Sequence, residues 1–293
     1  MKPISVVVPD GSMQEPVCNL FSRAGLPITF AKKRVKEGKI GVDWISRIAF
    51  QRPQEIPHYL NRGHFDLAVV GEDWIANWGY EFPVLLKLPI GRGGNKPVRI
   101  VLAAKKNIYS SVAQLPTGCE VATEYVELAR RFFIRNGRTD IVVTPSYGNT
   151  ESKIGFGATA IVDVTESGDS LHEHGLEIIG QLMESNTVIV ANPDSMADTE
   201  KQPPIDYLVR LMNGAYQASQ YVMITANVPD SKLAEASRIM SGKKGPSRMD
   251  IGNGWFALQA LVLKTTEQAV IFQLLQIGVT DVVVIREIPL IMS

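Results

Sequence analysis

The sequence is short of cysteine, of histidine and of net charge, and each shortage closes off a class of function. Only Cys18 and Cys119 are present, a hundred residues apart. No disulfide framework is indicated, and each thiol reads as a small apolar core residue. Thirty Lys+Arg balance thirty Asp+Glu to a formal net charge of zero. That balance gives no electrostatic reason to expect a nucleic-acid or membrane-surface binder. Nor does any uninterrupted apolar stretch approach the ~20 residues of a membrane span. The first apolar run, residues 4–8, stops at Pro9-Asp10-Gly11. It reads as a strand and not as a secretory core, so a cytoplasmic location is expected.

What is present is ordinary for a globular protein: 45% hydrophobic and 20% charged residues in a chain of 293, long enough for two or three compact units. Strand and helix patterns alternate. After residues 4–8, Ser12 and Glu15 have the spacing of a capping box, and Val17, Leu20, Phe21 and Ala24 form one helical face that Gly25 closes. Strands are expected at 44–50, 66–70, 84–88 and 98–103, with a helix at 53–61. A second block follows, with strands at 119–123, 140–144, 159–164, 177–182 and 187–191. Its clearest helix carries Tyr125, Leu128, Ala129, Phe132 and Phe133 on one side. The Pro- and Asp-rich stretch 192–204 reads as a connector to a helix whose Ile205, Leu208, Val209, Met212, Ala215 and Tyr216 face one way. Beyond Tyr221 the pattern becomes β-α-β-β-α-β, with Asp230 as a helix cap and a short strand near Met249, which is the ferredoxin-like order. The expected fold class is α/β, with two lobes of the periplasmic-binding-protein type and a cleft, plus a ferredoxin-like α+β domain. The expected boundaries are 1–98 for the first lobe with 190–218 returning to it, 99–189 for the second lobe, and 219–293 for the last domain.

In α/β lobes ligands bind at the carboxyl ends of strands. The segment that suits chemistry there is Asp163-Val164-Thr165-Glu166-Ser167-Gly168-Asp169-Ser170-Leu171, which follows Ala160-Ile161-Val162. Gly168 lets backbone N–H groups turn to one point, the serines add hydroxyl donors, and a helix start carries partial positive charge, an arrangement fit for a phosphate monoester. Carboxylates at the strand end suit sugar hydroxyls or a hydrated Mg²⁺. The same pattern also fits an acidic surface turn that merely caps a helix.

This loop, eight residues after Gly155, resembles the phosphoribosyl pyrophosphate (PRPP) loop of ATP phosphoribosyltransferase, the first enzyme of histidine biosynthesis. Four further segments match that family in order: Arg52-Pro53-Gln54-Glu55-Ile56-Pro57, residues 66–74 ending in Gly71-Glu72-Asp73-Trp74, Ala122-Thr123-Glu124-Tyr125 with Leu128, and Glu184-Ser185-Asn186-Thr187. The resemblance spans nearly the whole chain and includes the C-terminal domain of the long form. It implies transfer of phosphoribose from PRPP to ATP, with Asp163 and Glu166 at the reacting sugar. Ser167, Gly168, Asp169, Ser170 and Leu171 would take the 5′-phosphate, and Arg52, Asp73, Tyr125 and Gly11 would sit around ATP. It further implies Mg²⁺ on the pyrophosphate, an ACT/PII-like regulatory domain that binds histidine near Gly245, Pro246 and Ser247, and a homodimer that builds a hexamer.

Two departures stand out. The family's Pro-Lys-Gly-Arg turn is Pro9-Asp10-Gly11-Ser12 here, an acid and a neutral residue in place of two cations beside a polyanionic site, with Lys32, Lys33 and Arg34 as candidate compensation. Asp169 adds a carboxylate inside the phosphate loop, repulsive to phosphate unless it faces Mg²⁺ or solvent. Other features read as structural. His172 and His174 diverge at a helix start, residues 91–96 precede a strand and do not follow one, Trp44, Trp74, Trp78 and Trp255 suit core packing, and 242–248 is a basic mobile loop. Two alternatives share the architecture: a two-lobed solute-binding protein, and a relative that keeps the fold and ligand sensing without transfer activity.

Overall fold

A computed structural model describes residues 1–30, 36–90 and 96–290. Lys32, Lys33 and Arg34, and the glycine-rich residues 91–95, lie outside the described residues. The chain forms two compact units, Met1–Asn19 with Ile28–Val209, and Leu20–Pro27 with Arg210–Ser293.

The first unit holds two sheets. Its opening elements are β1 (Ile4–Pro9), α1 (Gln14–Arg23), β2 (Glu37–Gly38), β3 (Ile45–Gln51), α2 (Ile56–Asn61), β4 (Leu67–Gly71), α3 (Glu72–Trp78) and β5 (Val84–Leu88). The second sheet is made by β6 (Val98–Lys105), β7 (Glu120–Thr123), β8 (Val142–Pro145), β9 (Ala160–Thr165) and β10 (Leu176–Ser185), with α4 (Val126–Arg135) and α5 (Asp169–Glu173) between strands. The chain then returns to the first sheet as β11 (Thr187–Ala191) and continues through α6 (Pro193–Ala197) and α7 (Gln202–Ser219). Strand order is β2-β3-β1-β4-β11-β5 in one sheet and β10-β6-β9-β7-β8 in the other. Val6, Val7 and Val8 are at most 1% exposed, as a β-branched run covered on both faces should be. One core cluster runs from Val7 and Ala68 in the first sheet to Leu102 and Val162 in the second. Each such fully buried Val or Leu contributes about 1.5–3 kcal/mol against the cost of chain ordering.

Register decides where loops emerge. β1 is parallel to both β3 and β4, with Val7 opposite Ala49 and Ala68, so Asp10, Arg52 and Gly71 leave the sheet at one edge. β7 and β9 are likewise parallel, with Thr123 opposite Val162, which brings the Tyr125 turn beside the Asp163 loop.

The second unit contains β12 (Tyr221–Pro229), α8 (Leu233–Ile239), β13 (Ser247–Gly252), β14 (Trp255–Leu263), α9 (Glu267–Gln276) and β15 (Thr280–Ile285). Its sheet order β13-β14-β12-β15 is the expected ferredoxin-like arrangement. Strict alternation of buried and half-exposed residues along β12 is the period-two signature of a sheet packed on one face.

Local expectations fail in three places. Ser12 lies inside a 3-10 turn at Gly11–Met13 and not at the boundary of α1. Asp230 likewise opens a 3-10 turn and makes no side-chain cap. The expected connector 192–204 holds α6, capped by the Asn192 side chain, which accepts from the Asp194 and Ser195 amides at 2.9 and 3.2 Å. Pro203 and Pro204 sit in the first turn of α7, where a missing N–H is harmless. Among the described residues no helix is long and apolar enough to cross a membrane.

Candidate active site

Between the two lobes of the first unit lies a cavity of about 100 Å³. Its wall includes Pro9, Ser12, Met13, Pro53, Gly71, Asp73 and Trp74 from the first lobe, with Tyr125 and Val164 from the second. Ser185, Asn186 and Thr187 complete it where the chain crosses back. Parallel register places the first two groups there. The crossing segment arrives because β11 runs antiparallel to β4 with Thr187 opposite Gly71.

Asp73 is the most enclosed acid of this wall, 5% exposed. One carboxylate oxygen accepts from the Ser185 hydroxyl at 2.6 Å and the other from the Tyr125 hydroxyl at 2.7 Å. The Asp73 amide donates to the same Ser185 oxygen at 3.0 Å. Trp74 stacks on Tyr125 with ring centroids 4.4 Å apart and planes at 28°, worth about 0.5–1.5 kcal/mol beyond burial. Burial pushes the Asp73 carboxyl above the ordinary range, against the lowering effect of the Ser185 and Tyr125 hydrogen bonds. Burial also holds the Tyr125 hydroxyl well above its usual value, aided by the charge of Asp73 and, further off, of Asp163 and Glu124. Gly71 is required here, since a Cβ on it would stand 2.0 Å from Asp73 Oδ1. Helix α3 is tied to α4 as well: the Leu128 amide donates to Asn77 Oδ1 at 3.0 Å, and Arg131 donates to the carbonyls of Ala76 and Asn77. Next to it, Glu72 accepts from the amide and side chain of Asn186 at 3.0 and 2.9 Å and pairs with Lys87 at 2.7 Å.

At the outer edge of the first sheet Asp10 is 4% exposed. Its Oδ2 pairs with Lys36, and Arg52 Nε lies 3.9 Å away. Its Oδ1 is buried with no hydrogen-bond partner among the described residues. The candidate compensating residues 32–34 lie outside the described residues; Lys36, the next cation in the chain, is seen to pair with Asp10. Gly11, beside Asp10, is exposed with φ of 71°.

The Asp163 loop reaches the cavity only through Val164. Asp163 folds onto its own turn, accepting from the Val164 amide at 2.7 Å, and Glu166 is partly buried just beyond β9. Gly168 takes φ of 99° and donates its amide to Thr165 Oγ1 at 2.9 Å. Asp169 is exposed. Its carboxylate accepts from the Ser167 hydroxyl at 2.7 Å, and its amide donates to that hydroxyl oxygen at 3.3 Å. Ser170 is exposed at the start of α5. Leu171 buries its side chain in the second-lobe core, so any part it plays in the loop is through its backbone. Arg99 donates to the Ser167 carbonyl at 3.4 Å.

Gly245, Pro246 and Ser247 belong to the second unit. Their loop is anchored at its start, where the Lys243 amide donates to the Leu261 carbonyl at 3.0 Å and Gly242 leaves no room for a Cβ beside that oxygen. Composition alone read this stretch as mobile. Of the tryptophans, Trp74 is cavity wall, while Trp78 and Trp255 are 40% and 39% exposed, not core. His172 and His174 join no metal cluster: among the described residues, no three His, Cys, Asp or Glu side chains converge to hold a metal. Sequence reasoning assigned no site role to Ser185 or Asn186 and gave Trp74 to core packing; Trp74 does belong to the core cluster and also lines the cavity. Residues 184–187 carried a motif, but only the antiparallel return of β11 shows that they meet Asp73.

Comparison with known proteins agrees with this layout. The family model described as ATP phosphoribosyltransferase matches residues 52–214, and the one described as HisG, C-terminal domain matches 218–286. An ATP phosphoribosyltransferase of Chlorobium phaeovibrioides is 32% identical over 272 residues, covering 92% of each chain. One from Nitratidesulfovibrio vulgaris is 32% identical over 262 residues, 88% of each. The solved ATP phosphoribosyl transferase (HisG:HisZ) complex from Thermotoga maritima aligns with a TM-score of 0.61 at 24% identity, over 72% of this chain and 97% of that one, a likeness of fold. With both family models matched in order and relatives aligned end to end, the chain belongs to the ATP phosphoribosyltransferase family, phosphoribosyl-transferring enzymes of the first step of histidine biosynthesis.

Proposed function

We propose that the chain transfers the 5-phosphoribosyl group of PRPP to N1 of ATP and releases pyrophosphate. The observation that supports this reading is one inter-lobe cavity lined by Asp73 and Tyr125 together with chain neighbours of the other candidate residues: Pro9, Ser12, Pro53 and Val164. In the reaction N1 of the adenine forms a bond to C1′ of the ribose as the C1′–O bond breaks, and its electron pair leaves with pyrophosphate. The exocyclic amine then gives a proton to solvent. No nucleophilic side chain is needed, because the base attacks. What the chain must supply is orientation and charge. Asp163 and Glu166 offset the positive character of the sugar and hold its hydroxyls. Ser167, Gly168 and Ser170 receive the 5′-phosphate once Asp169 turns from Ser167. Trp74 and Tyr125 give the purine a rigid aromatic wall.

Mg²⁺ fits as cargo of the pyrophosphate, since no three-ligand set converges among the described residues; bound there, it supplies charge neutralisation of the leaving group. Histidine acts at the Gly245–Ser247 loop as feedback inhibitor. Exposed Met249, Ile251, Phe272 and Leu275, 46–64% accessible, support assembly through the second unit into a dimer and then a hexamer. A cytoplasmic setting suits these substrates.

The test is direct. Purified full chain with ATP, PRPP and Mg²⁺ is expected to form phosphoribosyl-ATP, followed by ultraviolet absorbance, and histidine is expected to slow it. Asp163→Ala should lower turnover at least a hundredfold with folding intact. No product from a folded wild-type chain overturns the reading and favours the second one, a relative with altered or lost activity, for which the carboxylates of Asp10 and Asp169 are the motive.

A further inference from the structure

We infer that Asp10 is a specificity-determining residue: an internal anion that competes with the phosphates of the ligand for Lys36 and Arg52, so that affinity at this edge of the cavity rises less steeply with ligand charge than the two cations alone would make it. This rests on the reading of the cleft as an adenine-nucleotide site.

Three observations carry it. Lys36 and Arg52 have side chains 61% and 67% exposed, yet both approach the same Asp10 oxygen, whose side chain is 5% exposed. Two accessible cations thus share one buried carboxylate, and the cluster carries a net +1 where the two cations alone carry +2. The segment is also in the right place, because Pro9, Ser12 and Met13 flank Asp10 and line the cavity, as does Pro53 next to Arg52. Finally, Oδ1 of Asp10 is buried without a hydrogen-bond partner among the described residues. A half-satisfied buried carboxylate lowers stability, and such groups persist chiefly where they serve function. An anion that approaches Lys36 and Arg52 meets their positive charge already half-committed, and meets the Asp10 charge a few ångströms behind it. Neutral ligands feel neither effect.

The experiment is calorimetric titration of the full chain at low salt with adenosine, AMP, ADP, ATP and inorganic tripolyphosphate, for wild type, Asp10→Asn and Lys36→Gln. Asp10→Asn is expected to leave adenosine unchanged and to tighten the others progressively, to about tenfold for ATP. Lys36→Gln should weaken ATP about fivefold, also without effect on adenosine. The Asp10→Asn chain should melt at or above the wild-type temperature. Weaker ATP binding by Asp10→Asn, or equal effects on adenosine and ATP, overturns the inference in favour of an organising or merely structural carboxylate. Lys36 is on the surface, so the Lys36→Gln chain is readable even if Asp10→Asn misfolds. An unchanged charge ladder there also overturns it. Should wild type bind no adenine nucleotide, it is the reading of the cleft that fails. Tripolyphosphate then decides the competition by itself, and the absence of any change between the three chains overturns it.

Discussion

Two buried acids stand at the cavity edge of the first sheet, and they are held in opposite ways. Asp73 has both oxygens engaged by neutral hydroxyls, Ser185 and Tyr125, each contributed by the second lobe. Asp10 has one oxygen shared by two cations of its own lobe and the other unpartnered. Hydroxyls satisfy geometry without cancelling charge, so the carboxyl of Asp73 is raised by its burial while the group serves as polar mortar between lobes. Cations cancel charge without filling every lone pair, so Asp10 is neutralised yet incompletely bonded. The first arrangement fixes structure. The second leaves accessible charge for a ligand to contest.

The contrast predicts an order of effects. Asp73→Ala removes the acceptor of two buried hydroxyls, and should cost about 3 kcal/mol in urea unfolding. Loss of less than about 1 kcal/mol would mean that the lobes do not depend on it. Tyr125→Phe keeps the stack on Trp74 and removes one donor, for about 1.5 kcal/mol. A double variant with Ser185→Ala should show coupling, since both hydroxyls share one carboxylate.

Acid titration separates the acids further. The folded-state value of Asp73 is raised, so its favourable contribution is fully present below the ordinary value of 3.8 and is lost as pH rises through the folded value. The margin of wild type over Asp73→Asn should therefore shrink as pH rises above 3.8. Asp66 gives the opposite sign. Burial would raise it, but hydrogen bonds from Lys201, Ser195 and Ser5 together lower it. Its contribution is present above 3.8 and is lost as pH falls through the folded value, so the margin over Asp66→Asn should shrink towards acid. Equal behaviour of the two margins would erase the distinction. The smallest effect belongs to Asp10→Asn, whose unfolding free energy should differ from wild type by no more than about 0.5 kcal/mol and should not fall.

Much of this was legible in the residues. The Val6-Val7-Val8 run, the Tyr125–Phe133 helical face and the β-α-β-β-α-β order after Tyr221 each express a local periodicity, and each appears where it was read. The turn at Gly168 was legible too, because a glycine between serines after a buried strand marks a left-handed position, and Gly168 takes φ of 99°. Helix starts were less so. At Ser12 and Asp230 a 3-10 turn replaced the expected cap, since capping spacing is a local permission that packing of the following turn overrides.

The sequence by itself determined most of the elements and the two-lobed and ferredoxin-like pattern. The pairings were decided only in three dimensions. Asp73 meets Ser185 across more than a hundred residues because β11 turns antiparallel onto β4. Asp10 meets Arg52 because parallel register brings the ends of β1 and β3 to one edge, and meets Lys36 because β2 pairs antiparallel with β3 there. Composition counts charges, but only the folded chain sets the distances at which one charge compensates, or competes with, another.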